Sequence, residues 1–229
     1  MKIGGLQKVS LIDYPEAICA VVFLQGCNFK CPYCHNPQLV EPKLFDLCLE
    51  EKKVLAFLAL RVGKLDAVTI TGGEPTIQKD LMRFIKLVKK MGFAAKLDSN
   101  GTQPKVIKEL IDAKLLDFIA MDIKAPLEKY KSIVKVPVDT QSIQESVKLI
   151  LKSKIPHEFR TTVVKSQLTE KDILKIVKLI SGAKRYVLQK FVPTKTLDKK
   201  FLKEKTYPDN ELENIKIRLE KEIPSVIVR

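Results

Sequence analysis

The chain predicts an α/β fold: an open, partial (β/α)6 barrel in one domain spanning residues 1–229. Three observations lead there. Short apolar runs alternate with segments of helical spacing about six times in succession. The first run, Ile18-Cys-Ala-Val-Val-Phe-Leu24, is continuously apolar, as a strand buried on both faces of a parallel sheet requires. No linker, repeat or low-complexity stretch divides the series. Parallel strands joined by helices imply right-handed crossovers, and six such units are too few to close an eight-fold barrel.

Residues 1–16 predict an edge strand or hairpin, from the loose alternation of residues 3–12. After Ile18–Leu24, the residues Leu47, Val54, Leu55, Leu58 and Val62 space as one helix face ending near Gly63. Ala67–Ile70 then predicts a strand, and Leu81, Phe84, Ile85 and Val88 a helix before Gly92. The strand Phe93–Leu97 is followed by a helix through Val106, Ile107, Leu110 and Ile111. Phe118–Met121 precedes a helix through Ile143, Val147, Ile150 and Leu151. Glu158–Val164, a helix through Ile173, Ile176, Val177 and Ile180, and Tyr186–Phe191 complete the alternation. Residues 192–229 are a C-terminal extension with a helix around Leu212–Leu219 and an apolar end, Val226-Ile-Val.

Hydrophobic content of 45 % with 30 % charged residues is ordinary for a globular protein. No apolar stretch reaches the roughly 18 residues of a membrane span, and Met-Lys-Ile-Gly-Gly lacks a signal-peptide core. The net charge of +14 is the one unusual number. It fits a solvated lysine-rich surface or attraction of an acidic protein partner. The lysines are scattered through the helices without interleaved aromatics, which argues against nucleic acid.

The chemistry centres on Cys27-Asn-Phe-Lys-Cys31-Pro-Tyr-Cys34-His-Asn-Pro, directly after the first buried strand. Iron–sulfur clusters are held by cysteine thiolates, normally four for a four-iron cube. Here one loop offers three, and neither Cys19 nor Cys48 joins the spacing. A cube so bound keeps one iron open for a small ligand. A Cys3His zinc module with His35 competes, but adjacent Cys34 and His35 would struggle to reach one tetrahedral ion. A disulfide framework does not suit five cysteines in 229 residues without a secretion signal. Thiols in a cluster loop imply a reducing compartment, hence the cytoplasm.

The loop resembles that of radical S-adenosylmethionine (SAM) enzymes: C-x3-C-x2-C, with the aromatic Tyr33 before the last cysteine. The flanks are similar to glycyl-radical-enzyme activases, most of all the activating protein of anaerobic (class III) ribonucleoside-triphosphate reductase. The matching stretches are Gln7-Lys-Val-Ser-Leu-Ile-Asp-Tyr-Pro15, Phe23-Leu-Gln-Gly-Cys27, Cys31-Pro-Tyr-Cys-His-Asn-Pro37, Thr71-Gly-Gly-Glu-Pro75, Asp98-Ser-Asn-Gly101 and Met121-Asp-Ile-Lys124. The resemblance implies a 4Fe–4S cluster on Cys27, Cys31 and Cys34, with SAM chelating the open iron. One electron then cleaves the sulfonium, and the resulting 5′-deoxyadenosyl radical takes a hydrogen from a glycine of the partner enzyme. No acid, base or nucleophile is required of the protein.

The resemblance further implies that Gly72, Gly73 and Glu74 bind the methionyl amino group. Asp98, Ser99 and Asp122 would line a monovalent-cation position, with Lys124 near the cofactor carboxylate. Read on their own, Asp98 and Asp122 serve equally as helix caps. Arg160, inside an apolar strand, needs a partner: Glu158 or another acid, or a cofactor carboxylate or ribose. His35 adjoins the cluster or the adenine and tunes rather than ligates. His157, Cys19 and Cys48 read as structural, the two thiols as buried and inert. Pyruvate formate-lyase activases carry a cofactor-facing histidine where this chain has Leu188-Gln-Lys-Phe-Val192, which favours the reductase branch.

No further cysteine cluster stores electrons, so an external donor is expected, an acidic flavodoxin or ferredoxin. Competing readings are a pyruvate formate-lyase-like activase, a small-molecule enzyme similar to 7-carboxy-7-deazaguanine synthase, and a radical tRNA modifier.

Overall fold

In the computed structural model, which describes residues 1–229, strand β1 (Ile3–Ser10) runs antiparallel to β2 (Cys19–Leu24). A short helix α1 (Pro37–Val40) and α2 (Glu51–Ala59) lead to β3 (Ala67–Gly72). Then α3 (Leu81–Lys90) precedes β4 (Ala94–Ser99), and α4 (Pro104–Asp112) precedes β5 (Phe118–Asp122). Helices α5 (Tyr130–Val134) and α6 (Thr140–Lys152) lead to β6 (His157–Val163), and α7 (Glu170–Leu179) to β7 (Arg185–Lys190). Finally α8 (Asp209–Leu219) precedes β8 (Ser225–Val228). The strands form one sheet in sequence order, and every pair after the first is parallel. β1 and β8 are its two edges, so the sheet stays open.

The helices start where local chemistry allows. Thr169 and Asp172 form a reciprocal capping box on α7, Asp139 accepts from Gln141 N at α6, and Pro104 occupies the first turn of α4. Their apolar faces are the ones the spacing predicts. Leu81, Phe84, Ile85 and Val88 of α3, Ile143, Val147 and Ile150 of α6, and Ile173, Ile176 and Val177 of α7 are all buried. They join one core against the outer sheet face, with Val22, Leu24, Leu97 and Phe159.

Strand side chains alternate between faces. Where Ala95 and Leu97 enter that core, Lys96 and Asp98 turn inward; where Phe159 does, Glu158 and Arg160 turn inward. The concave face is therefore charged, and the open arc leaves space at the C-terminal strand ends.

Of the two readings of the N-terminus the edge strand holds: β1 pairs with β2 from Ile3↔Leu24 to Ser10↔Cys19, with register shifts after Ile3 and Gln7, and residues 1–16 form no hairpin among themselves. Three expectations are corrected. The helix read from Leu47 to Val62 is confined to Glu51–Ala59. Leu47 is 96 % exposed, because Leu49 bridges to Ile3 and holds this stretch extended, and Val62 is exposed in the turn after the helix, where it bridges to Leu65. Cys48 is consequently exposed rather than buried, its thiol donating to Gln25 Oε1 at 3.2 Å. The C-terminal extension also ends in a strand, β8, which adds a seventh parallel member beside β7. No helix is long and apolar enough to cross a membrane.

Candidate active site

The C-terminal ends of β2, β3, β4 and β5 bring Cys27, Gly72, Asp98 and Asp122 to one rim, where parallel β/α folds place their ligands. A cavity of about 230 Å³ opens there. Every site residue singled out in the sequence lines it: Cys27, Cys31, Tyr33, Cys34, His35, Gly72, Gly73, Glu74, Asp98, Ser99, Asp122, Lys124 and Arg160.

The cysteine loop is pinned on two sides. On one, Lys30 N donates to Val134 O at 2.9 Å and Phe29 packs on Tyr130 of α5. On the other, Asp198 N donates to Pro32 O at 3.0 Å, while His35 donates from Nε2 to Val192 O at 2.8 Å and stacks on Phe191. His35 thus fastens the loop to the end of β7. Burial pushes the Cys27 thiol up to about 12 and the Cys31 thiol up to about 11.

Because the thiolate is the reactive form, iodoacetamide should modify exposed Cys48 first in the reduced, cluster-free protein at neutral pH. Peptide mass spectrometry reads the order, and alkylation of Cys27 or Cys31 before Cys48 contradicts it.

The glycines of Thr71-Gly-Gly-Glu-Pro75 answer to the backbone. Gly72 sits at φ +116°, and a Cβ on Gly73 would lie 1.9 Å from Gly26 O, immediately before Cys27. Glu74 ties the β3 and β4 ends together. Its Oε1 accepts from Thr76 N at 3.0 Å, from the Thr76 hydroxyl and from Ser99 Oγ at 2.8 Å; its Oε2 accepts from Asn100 N at 2.6 Å. Burial raises the Glu74 carboxyl against these four bonds.

Arg160 finds its partners in the acids of two neighbouring strands and not in Glu158, which pairs with Arg229 at 2.9 Å. Arg160 Nε donates to Asp122 Oδ1 at 2.9 Å and Nη1 to Asp98 Oδ2 at 3.0 Å. Lys124 Nζ donates to Asp122 Oδ2 at 3.1 Å. Neither aspartate caps a helix. His157 is structural, its Nδ1 bonded to Ile155 O, and Cys19 is buried.

Sequence reasoning missed several wall residues. Asn100 also donates from Nδ2 to Asn28 Oδ1, linking the cysteine loop to β4. Thr162 and Gln189 line the cavity from β6 and β7. Two-residue periodicity from Arg160 identifies Thr162; a lone lysine within the apolar strand Phe93–Leu97 marks Lys96, which lines a separate cavity with Asp13 and Glu158 and pairs with Asp98.

The family model of the radical SAM superfamily matches residues 21–180. The chain belongs to this superfamily. Among curated proteins, a candidate glycyl-radical enzyme activating enzyme of Methanocaldococcus jannaschii is 38 % identical, covering 99 % of this chain and 95 % of that one. The pyruvate formate-lyase-activating enzyme of Clostridium pasteurianum is 34 % identical over 54 % of this chain and 52 % of its own length. Among solved structures, SuiB of Streptococcus suis bound to SAM superposes with a TM-score of 0.68 at 14 % identity. That match covers 89 % of this chain and 48 % of SuiB, and it bears on the fold alone.

The radical SAM enzymes work with a 4Fe–4S cluster and SAM. This site fits both. Three soft thiol donors share one cavity wall, the donor type that iron–sulfur clusters select. The hydroxyl of Tyr33, also in that wall, is buried without a partner, as expected beside a group that would supply one.

Proposed function

We propose that this radical SAM chain is a glycyl-radical-enzyme activase whose partner is an anaerobic ribonucleoside-triphosphate reductase, working in a reducing cytoplasm. The near full-length similarity to the Methanocaldococcus protein carries the activase reading. The reductase is favoured by the flanking stretches from Gln7 to Lys124, and by Gln189 at the cavity wall within the stretch where pyruvate formate-lyase activases carry a histidine. The partial likeness to the Clostridium enzyme keeps pyruvate formate-lyase-type activation as the second reading.

When bound, the cluster and SAM supply a hydrogen-abstracting 5′-deoxyadenosyl radical by one-electron cleavage of the sulfonium. The protein binds and orients. Cys27, Cys31 and Cys34 hold the cluster. Backbone at Gly72 and Gly73, with the Glu74 carboxylate, receives the methionyl ammonium; Lys124 and Arg160 face the carboxylate; Tyr33 and His35 flank the adenine. No residue moves a proton, in keeping with a cavity whose acids are committed to ion pairs and hydrogen bonds.

The test is anaerobic reconstitution followed by measurement of 5′-deoxyadenosine with and without the reductase, watching for a glycyl radical by EPR. A glycyl signal on the reductase is expected. Cofactor cleavage with a signal only on a pyruvate formate-lyase selects the second reading, and no signal on either protein removes the activase proposal.

The external electron donor is an acidic flavodoxin or ferredoxin. The segment hydrogen-bonded to the cysteine loop exposes Lys195, Lys199, Lys200, Lys203 and Lys205, a basic face beside the cluster position. Converting Lys199, Lys200 and Lys203 to glutamate should slow donor-driven cluster reduction about tenfold at low salt. Dithionite-driven reduction should not change. A donor rate indifferent to ionic strength ends this assignment.

A further inference from the structure

Asp98 and Asp122 present four carboxylate oxygens to the site, and a protein cation already faces each of them. Arg160 spans one oxygen of either residue, Lys124 takes the second oxygen of Asp122, and Lys96 Nζ lies 2.7 Å from the second oxygen of Asp98. This last contact is an ion pair without hydrogen-bond geometry; the hydrogen bond of Lys96, 2.7 Å long, goes to Asp13 O. Ser99, expected as a third cation ligand, donates to Glu74 and accepts from Gly101 N at 3.0 Å. Every oxygen of the expected monovalent-cation position therefore has a protein hydrogen bond or, at Asp98 Oδ1, a protein cation against it.

Charge balance points the same way. Three cationic side chains meet two carboxylates, so the buried group carries one positive charge in excess. A metal ion placed among them adds a second uncompensated charge where solvent screening is weak. A single excess charge instead matches one anionic ligand group, such as the amino-acid carboxylate of SAM.

Lys96 is also held in place before any ligand arrives. Its side chain is 3 % exposed, sits against the Phe118 ring, and is anchored through Asp13 by the loop that joins β1 to β2.

We infer that Lys96 is the resident cation of the cofactor site: its ammonium takes the place of a monovalent metal ion, and the enzyme binds SAM without sodium or potassium. Lys96 acts through Asp98 and is a positioning residue. The inference rests on the cofactor pose proposed above.

The test compares the reconstituted protein in potassium, sodium and tetramethylammonium chloride at equal ionic strength, reading SAM affinity by calorimetry. The thermal unfolding midpoint of the cluster-free protein is read in the same salts. Wild-type affinity and midpoint should be the same in all three. The Lys96→Gln protein should bind about tenfold more weakly in tetramethylammonium and recover in sodium or potassium, which now fill the vacated position.

A wild-type affinity or midpoint that rises specifically with sodium or potassium overturns the inference, and so does a Lys96→Gln protein that binds like wild type in every salt. Should the variant not fold, the wild-type comparison decides alone. Absence of SAM binding in all salts removes the cofactor pose instead, and the wild-type midpoint then still decides for or against Lys96.

Discussion

Replacing Arg160 by methionine should destabilise the protein by about 3–5 kcal/mol, the usual cost of removing one partner from a buried ion pair. The guanidinium is the only group bonded to both Asp98 and Asp122, and so the only side chain clamping the ends of β4, β5 and β6 together at the rim. Without it each aspartate keeps one lysine, the excess positive charge disappears, and SAM affinity should fall with stability. Arg160→Lys should lose less, because the charge returns but one ammonium cannot fork to both acids as Nε and Nη1 do.

The pH dependence carries a definite sign. Burial pushes both carboxyls up, but Arg160, with Lys124 at Asp122 and Lys96 at Asp98, more than offsets this and holds them below the ordinary range. Their contribution is complete above about pH 4 and is lost as the pH falls through the native values. Urea unfolding should therefore show the gap between wild type and Arg160→Met narrowing in acid. A gap that widens there, or is absent at neutral pH, contradicts the clamp.

Gly73→Ala should be comparably severe, at about 2–4 kcal/mol, and should abolish cluster loading. Gly73 has no left-handed backbone to protect, so the effect is steric. The new methyl would sit 1.9 Å from Gly26 O and 3.1 Å from Leu39 O, both backbone atoms that no rotamer can move. Gly26 must shift, which breaks the 2.8 Å bond from Glu74 N to its carbonyl and carries Cys27 out of position. Gly92→Ala is the matched control. It meets nothing within 4 Å but sits at φ +92°, so it should cost only about 1–2 kcal/mol and leave the iron content and visible absorption of the reconstituted protein unchanged. Equal iron content in Gly73→Ala and wild type would sink the steric account.

Much of the site was legible because its motifs are contiguous and fall directly after apolar strands. A rule about strand ends then places Cys27, Gly72, Asp98 and Asp122 on one rim without coordinates. Elements with a long, regular period, such as α3 and α6, were readable for the same reason. The stretch from Leu47 to Glu50 was not, since the spacing of Leu47 to Val54 mimics a helix while a bridge from Leu49 to Ile3, 46 positions earlier in the chain, decides otherwise. Val226-Ile-Val reads only as an apolar end until β7 supplies an edge to pair with.

The sequence by itself determined the cysteine loop, the order of β/α units and the motif residues at the strand ends, because each depends on local spacing along the chain; Asn100, Thr162 and Gln189 joined the cavity wall only in the fold. The tertiary structure alone decided the partners: that Arg160 bridges Asp98 and Asp122, that Glu74 is bound by Asn100 and Ser99, and that Lys96 pairs with Asp98. Charges on different strands pair by distance across the barrel, and one-dimensional spacing does not encode that distance.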